Sequence, residues 1–74
     1  MPINKYEIYI GDVVFTIRAA QILRAYILLD MILKNGYMRR PYRIKLNGGF
    51  FPDDSYIDKS WERFQAYKKR HSKL

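Results

Sequence analysis

The chain has 74 residues, of which 14 are Lys or Arg and 7 are Asp or Glu, so that its formal net charge is +7. This length corresponds to one domain, because folded domains mostly contain roughly 50 to 200 residues, and it excludes a two-domain enzyme. The absence of cysteine excludes disulfide bonds, thiolate zinc sites and cysteine nucleophiles. A single histidine, His71, cannot hold a metal ion alone, so we expect neither a metal nor a cofactor.

The sequence also bears on localisation. The longest mainly apolar stretch covers residues 25–33 and is interrupted by Asp30, whereas a membrane-spanning helix needs about 20 apolar residues. The first residues do not join a basic segment to an apolar one, as a secretory signal would. These features predict a cytoplasmic protein with no membrane span.

The first predicted element is a β-hairpin within residues 5–17. Apolar and polar residues alternate up to Ile10, Gly11-Asp12 offers a turn, and the residues from Val13 to Ile17 are mostly β-branched or aromatic.

A helix is predicted to follow over residues 18–34, because nearly all of them are good helix formers. We expect Thr16 to cap its start and Asn35-Gly36 to end it. Asp30 and Lys34 have the spacing of an ion pair on one side of a helix.

The apolar residues of this helix cover well over half of its circumference, which is more than surface helices usually show. Two interpretations are open. The helix packs between the sheet and a second helix, or it presents one side to a partner, including a second copy of the chain. The candidate partner contacts are Ile27, Leu29, Met31 and Leu33.

A second hairpin is predicted around Asn47-Gly48-Gly49, because Asn-Gly between alternating segments is a strong signal of a tight hairpin turn. Alternate residues of the preceding strand form an apolar face, expected to pack, and a basic face, expected to point outward. The apolar face comprises Tyr42, Ile44 and Leu46, and the basic face comprises Arg43 and Lys45.

A second helix is predicted to start within residues 52–55, where Ser55 and Asp58 have the spacing of a capping box. Its apolar side is expected to contain Ile57, Trp61, Phe64 and Tyr67 or Lys68. The elements together predict an α+β fold: a small antiparallel sheet of two hairpins with two helices, in the order ββαββα. We expect one compact domain over residues 1–74, with residues 68–74 frayed because they form a basic chain end.

The positive charge is concentrated in the second half of the chain. Residues 1–35 contain four basic and three acidic residues, whereas residues 36–74 contain ten and four. Those four acids separate the cations into two clusters. The hairpin cluster comprises Arg39, Arg40, Arg43 and Lys45, with Tyr37 and Tyr42 among them. The tail cluster comprises Arg63, Lys68, Lys69, Arg70 and Lys73, beside Tyr67 and His71.

Both clusters have the chemistry of nucleic-acid binding. Arg and Lys neutralise phosphates, arginine also forks onto phosphates and guanine edges, and tyrosine stacks on bases. The sequence leaves DNA, RNA and an acidic protein surface open as partners. Solubilisation by surface cations is the simpler alternative for both clusters, and interaction with a helix dipole is a further one for the tail cluster.

Catalysis is not expected. Asp53-Asp54 is explained by its place at a helix start, and Gly48-Gly49 lacks the Lys-Ser/Thr of a phosphate-binding loop. We therefore expect a small non-enzymatic nucleic-acid-binding protein, such as a regulator of phage, viral or plasmid type. The rival hypothesis is an inhibitor or modulator that docks on an acidic surface of a larger host machine, through the apolar first helix.

The order of a helix, a basic hairpin with Asn-Gly and a second helix is similar to that of winged-helix and excisionase-like DNA-binding proteins of mobile elements. The similarity is confined to residues 39–49 and the element order. The chain opens with strands and has no short recognition helix after a tight turn, and no residue takes a role from this resemblance.

Overall fold

A computed structural model describes residues 2–34, 38–50 and 53–71. The elements along the chain are β1 Asn4–Ile10, β2 Val13–Ala19, α1 Ile22–Leu33, β3 Arg43–Leu46, β4 Gly49–Phe50 and α2 Asp54–His71. The four strands form one antiparallel sheet in the order β2-β1-β3-β4. The predicted α+β fold with the order ββαββα is confirmed.

The sheet has an inner face, which packs on both helices, and an outer face, which neither helix covers. Tyr6, Ile8 and Ile10 of β1 point inward and are buried. The register sets Ile8 between Phe15 of β2 and Ile44 of β3, so the inner residues of three strands meet. Because side chains alternate along a strand, the intervening residues of each strand lie on the outer face.

The core fills the space between the inner face and the two helices. Leu29 of α1 and Ile57 of α2 are buried in the same cluster as the inner residues of the sheet. Three rings join the helices: Phe64 lies 5.5 Å from Tyr26 and 5.4 Å from Trp61, measured between ring centroids. The helices therefore pack on each other as well as on the sheet.

Both predicted hairpin turns are present. In the second, Asn47 and Gly48 have φ angles of 52° and 90°, the backbone that a two-residue turn of the primed type requires. The side chain of Asn47 also holds the turn against β1: its Oδ1 accepts a hydrogen bond from the Lys5 N–H at 2.8 Å, and its Nδ2 donates to Asn4 Oδ1 at 3.0 Å.

Replacement of Asn47 by alanine is expected to destabilise the protein more than replacement by glycine. Either change removes the two side-chain hydrogen bonds, a loss of about 1–2 kcal/mol. Alanine adds the strain of a left-handed backbone, about 1 kcal/mol, which glycine avoids. Urea denaturation followed by circular dichroism measures both variants, and an Asn47→Gly variant less stable than Asn47→Ala would contradict the argument.

The first helix begins later than predicted, because β2 continues through Ala19. In the ladder with β1, Ala19 pairs with Asn4, so Arg18 lies in the sheet. Thr16 is in the middle of β2 and does not cap the helix; the N-cap is Gln21, which makes no side-chain capping bond. Pairing with β1 and burial of every second residue outweigh the helix propensity of this segment.

At the other end of α1, the predicted helix stop Asn35-Gly36 lies outside the described residues. Asp30 and Lys34 are both described, and no ion pair joins them. Lys34 follows the last helical residue with a φ of 67°, so it has left the helix on which the predicted spacing depends.

The second helix is capped by Asp53 and not by the predicted Ser55–Asp58 box. Asp53 Oδ1 accepts hydrogen bonds from both the backbone N–H and the hydroxyl of Ser55, and these bonds lower the pKa of the Asp53 carboxyl. Asp58 instead pairs with Arg40. The predicted buried side is confirmed at Ile57 and Phe64.

Candidate nucleic-acid interface

The outer face of the sheet brings cations and aromatic rings together. The cross-strand pairs on this face include Lys5 with Arg18, Tyr9 with Arg43, and Lys45 with Phe50. We call these six residues the outer-face cluster. It combines four cations and two aromatic rings, and its members lie on the strands β1, β2, β3 and β4.

Phe50 is the centre of the closest contacts in this cluster. Its ring centroid lies 4.7 Å from the guanidinium carbon of Arg43 and 4.7 Å from Nζ of Lys45. The negative face of an aromatic ring attracts cations, which offsets the repulsion between the two positive groups. The Phe50 side chain is nevertheless 49% exposed, so ring and cations are both accessible from solvent.

Tyr9 joins Phe50 to a third ring. The Tyr9 centroid lies 6.1 Å from that of Phe50 and 6.0 Å from that of Tyr42, which it meets edge-on. The prediction that Tyr42 packs beside Ile44 and Leu46 is wrong, because Tyr42 lies in a bend before β3 and is exposed. Its N–H donates to the Tyr9 carbonyl at 3.0 Å, which holds the two tyrosines together.

Among the strand residues that the structure describes, one acidic side chain lies on the same face. Glu7 is half-buried on β1, opposite Lys45 on one side and Thr16 on the other. Four cations against this single carboxylate leave a local excess of positive charge. The face therefore attracts an anion, but its centre does not favour a phosphate directly over Glu7.

The predicted hairpin cluster is divided by the fold. Arg43 and Lys45 point outward from β3 as predicted, whereas Arg40 turns to α2. Its Nη2 lies 2.6 Å from Asp58 Oδ1, and its Nε donates to the same oxygen at 2.9 Å. Asp58 thus neutralises Arg40, while Arg39 is exposed and Tyr37 lies outside the described residues.

The predicted tail cluster lies on α2, in the helical layer on the other side of the sheet from the outer-face cluster. Its described members are Arg63, Lys68, Lys69 and Arg70, and Lys73 lies outside the described residues. Lys68 Nζ is 5.5 Å from the centroid of the Phe64 ring. The helix runs through His71, whose ring stacks on Tyr67 at 4.1 Å. The predicted fraying of residues 68–74 stays a prediction.

Four members of the outer-face cluster were not candidates from the sequence: Lys5, Tyr9, Arg18 and Phe50. A signal existed for Phe50, since a two-residue turn at Asn47-Gly48 sets it opposite Lys45. For Arg18 the signal was hidden, because the segment was assigned to a helix.

The outer side of α1 differs from the predicted partner surface. Leu29 is fully buried, and Ile27 and Leu33 are partly buried against the core, so of the four predicted contacts only Met31 is exposed. Met31 is 70% exposed and Ile32 is 62% exposed. The exposed side of α1 is the one opposite the side that packs on the core. The packed side comprises Ile22, Ala25, Tyr26 and Leu29.

Comparisons of the chain with protein-family models, with curated proteins and with solved structures found no match. The fold and the site define a class in physical terms: a small α+β protein with cations and aromatic rings on the open face of its sheet. Within residues 2–34, 38–50 and 53–71, no helix combines the length and apolar character needed to cross a membrane. The same residues contain no group of three or more metal-binding side chains.

Proposed function

We propose that the protein binds nucleic acid, without catalysing a reaction, through the outer-face cluster. The observation that carries the proposal is the convergence of Arg43 and Lys45 on the exposed ring of Phe50, with Tyr9 beside it. Cations of this kind contact phosphates, and aromatic rings contact bases. DNA and RNA both supply these two groups in alternation.

The exposed rings favour this proposal over simple solubilisation. Surface cations alone keep a small domain soluble, and they need no aromatic neighbours. Here Phe50 is half-exposed between two cations, and Tyr9 and Tyr42 continue the row of rings. An acidic protein surface would satisfy the cations, but a row of rings is better matched by the flat faces of bases.

The test is a salt titration with charge-matched variants. Wild-type protein is expected to bind a labelled oligonucleotide with a micromolar dissociation constant or tighter at ~50 mM salt. The Arg43→Gln/Lys45→Gln variant is expected to bind about tenfold more weakly, with a salt slope lower by about 1 to 2. Fluorescence anisotropy measures both quantities.

The control is Arg24→Gln/Lys59→Gln, which removes the same number of positive charges from exposed positions of α1 and α2, outside both predicted clusters. Its affinity is expected to stay within about threefold of the wild type, because only long-range charge is lost. Equal weakening by the two double variants would contradict an interface on the outer face. Absence of binding at ~50 mM salt would contradict nucleic-acid binding altogether.

The tail cluster remains a second predicted phosphate-binding region. The variant Lys68→Gln/Arg70→Gln examines it in the same titration. Cations in the last turn of a helix also complement the helix dipole, so their presence alone does not identify a ligand. A drop in salt slope comparable with that of Arg43→Gln/Lys45→Gln would extend the interface to α2.

A second candidate function is protein binding through α1, including formation of a homodimer. The observation that favours it is the exposure of Leu28, Met31 and Ile32 on one side of the helix. Light scattering at high concentration is expected to give a mass above that of the monomer for the wild type. The variant Met31→Gln/Ile32→Gln is expected to be monomeric, and a strictly monomeric wild type would contradict self-association.

A further inference from the structure

We infer that the outer face binds single-stranded nucleic acid, with unpaired bases stacked on Phe50 and Tyr9, and that it discriminates against duplex. This inference rests on the proposed function and goes beyond it by naming the form of the ligand. It is carried by the spacing of the rings, the position of the cations and the position of Glu7.

The spacing of the rings suits bases that are not stacked on each other. Tyr9 lies 6.0 Å from Tyr42 and 6.1 Å from Phe50, between centroids. Successive bases along one strand of a duplex are about 3.4 Å apart. The stacked bases of a duplex cover each other's faces, so a duplex offers none to the rings. A single strand can splay its bases and place them on separate rings.

A base that stacks on Phe50 displaces the cations that lie over its ring. Arg43 and Lys45 each lie 4.7 Å from the ring centroid, at an exposed site. An exposed cation–π contact is weaker than the stacking of a base on an aromatic ring, so exchange of one for the other is favourable. The displaced side chains are long and remain beside the ring, where they meet the phosphates that flank the stacked base.

Glu7 directs which part of the ligand faces the sheet. Glu7 pairs with Lys45 in the ladder between β1 and β3, in the middle of the face. A phosphate over this position would be repelled, whereas a neutral base would not. The bases therefore face the sheet, and the phosphates follow the cations around Glu7.

A second pair of cations lies farther along the strands. Lys5 on β1 pairs with Arg18 on β2. Lys5 lies four residues from Tyr9 along β1, which corresponds to about 13 Å at the usual rise per residue of a strand. This distance is long enough for further nucleotides of the same strand. The face thus suits an extended single strand of a few nucleotides, held at both ends by cations.

The experiment compares labelled ligands of 12 nucleotides by fluorescence anisotropy. They are an oligodeoxyuridine, an oligouridine, an abasic deoxyribose-phosphate chain and a 12-base-pair duplex. The abasic chain retains the phosphates and lacks the bases, so it separates stacking from charge. The two uridine ligands separate RNA from DNA through the 2′-hydroxyl.

The variants alter the ring and keep the charge. Phe50→Leu retains apolar bulk without an aromatic face, and Phe50→Trp restores a larger one. The matched control is Tyr56→Leu, which removes a tyrosine of similar exposure, 43%, from α2. Circular dichroism confirms that each variant is folded.

Wild-type protein is expected to bind the oligodeoxyuridine or the oligouridine more tightly than the abasic chain and the duplex. Phe50→Leu is expected to weaken binding of the uridine ligands by about 5- to 150-fold, the range for loss of one stacked base. Its binding of the abasic chain is expected to stay within about twofold, since the phosphate contacts persist. Phe50→Trp is expected to restore the affinity, and Tyr56→Leu to leave it unchanged.

Two outcomes would overturn the inference and leave the proposed function standing. One is wild-type protein that binds the abasic chain or the duplex as tightly as the uridine ligands. The other is a Phe50→Leu variant that weakens all four ligands equally. Failure of the wild type to bind any of the four ligands is a different result and contradicts the proposed function itself.

Discussion

Replacement of Phe64 by alanine is expected to lower the free energy of unfolding by about 3–5 kcal/mol. The Phe64 ring is buried where α1 and α2 meet, 5.5 Å from Tyr26 and 5.4 Å from Trp61 between centroids. The substitution removes the transfer free energy of the ring and leaves a cavity between the helices. A domain of this size has only a few kcal/mol of stability in total. The variant should therefore be largely unfolded at 25 °C, which circular dichroism and urea denaturation measure.

The same substitution at Phe50 is the control, because that ring lies on the outer face and is half-exposed. Phe50→Ala is expected to lower stability by less than about 1 kcal/mol. A milder core variant, Phe64→Leu, keeps a folded population in which the loss is measurable. Equal effects of Phe64→Ala and Phe50→Ala would contradict a stabilising role for the packing between the helices.

A rise in pH from 10 to 12 is expected to remove about 2 kcal/mol of stability through Tyr26 alone. Burial raises the pKa of Tyr26 to about 12, although the hydrogen bond with Ser60 partly opposes the shift. In the unfolded chain a tyrosine ionises near pH 10. The contribution of Tyr26 is therefore complete below pH 10 and is lost as the pH rises through 12. Burial also raises the pKa of Tyr6, so its effect has the same sign.

The variant Tyr26→Phe separates this residue from the other groups that titrate in base. Ser60 Oγ still donates to the Ile57 carbonyl at 3.0 Å, so the loss at neutral pH is expected to be only about 1 kcal/mol. Between pH 10 and 12 the variant should lose less stability than the wild type in urea denaturation. Parallel pH profiles for the two proteins would contradict the role of Tyr26.

The strands and turns were the most predictable part of the fold. Gly11-Asp12 and Asn47-Gly48 both mark tight turns, and alternation set the inner and outer faces of β1. The start of α1 was not predictable, since Arg18 and Ala19 suit a helix equally well. What keeps them in β2 is pairing with β1, which is a tertiary contact and leaves no signal in local propensity.

The candidate site was predictable only in part, for a related reason. Arg40 and Arg43 are neighbours in the sequence, but Asp58 on a distant helix holds one of them away from the other. In the sequence, Phe50 is an ordinary apolar residue after a turn. Its place beside the cations follows only from the register of β3 and β4, which pairs it with Lys45. Likewise, the exposed side of α1 depends on which side of the helix packs on β2. That side is determined by tertiary contacts with the sheet and with α2.

The sheet order has a consequence for how the protein folds. Each hairpin is local in sequence and joins its strands through a short turn, whereas the described sheet unites the two hairpins through the β1–β3 ladder. That ladder brings together residues 34 to 40 positions apart in the sequence, so we expect its formation to be the slow, non-local step. Lys5 and Tyr9 belong to one hairpin, and Lys45 and Phe50 to the other. The outer-face cluster therefore comes into existence in the same event that completes the fold.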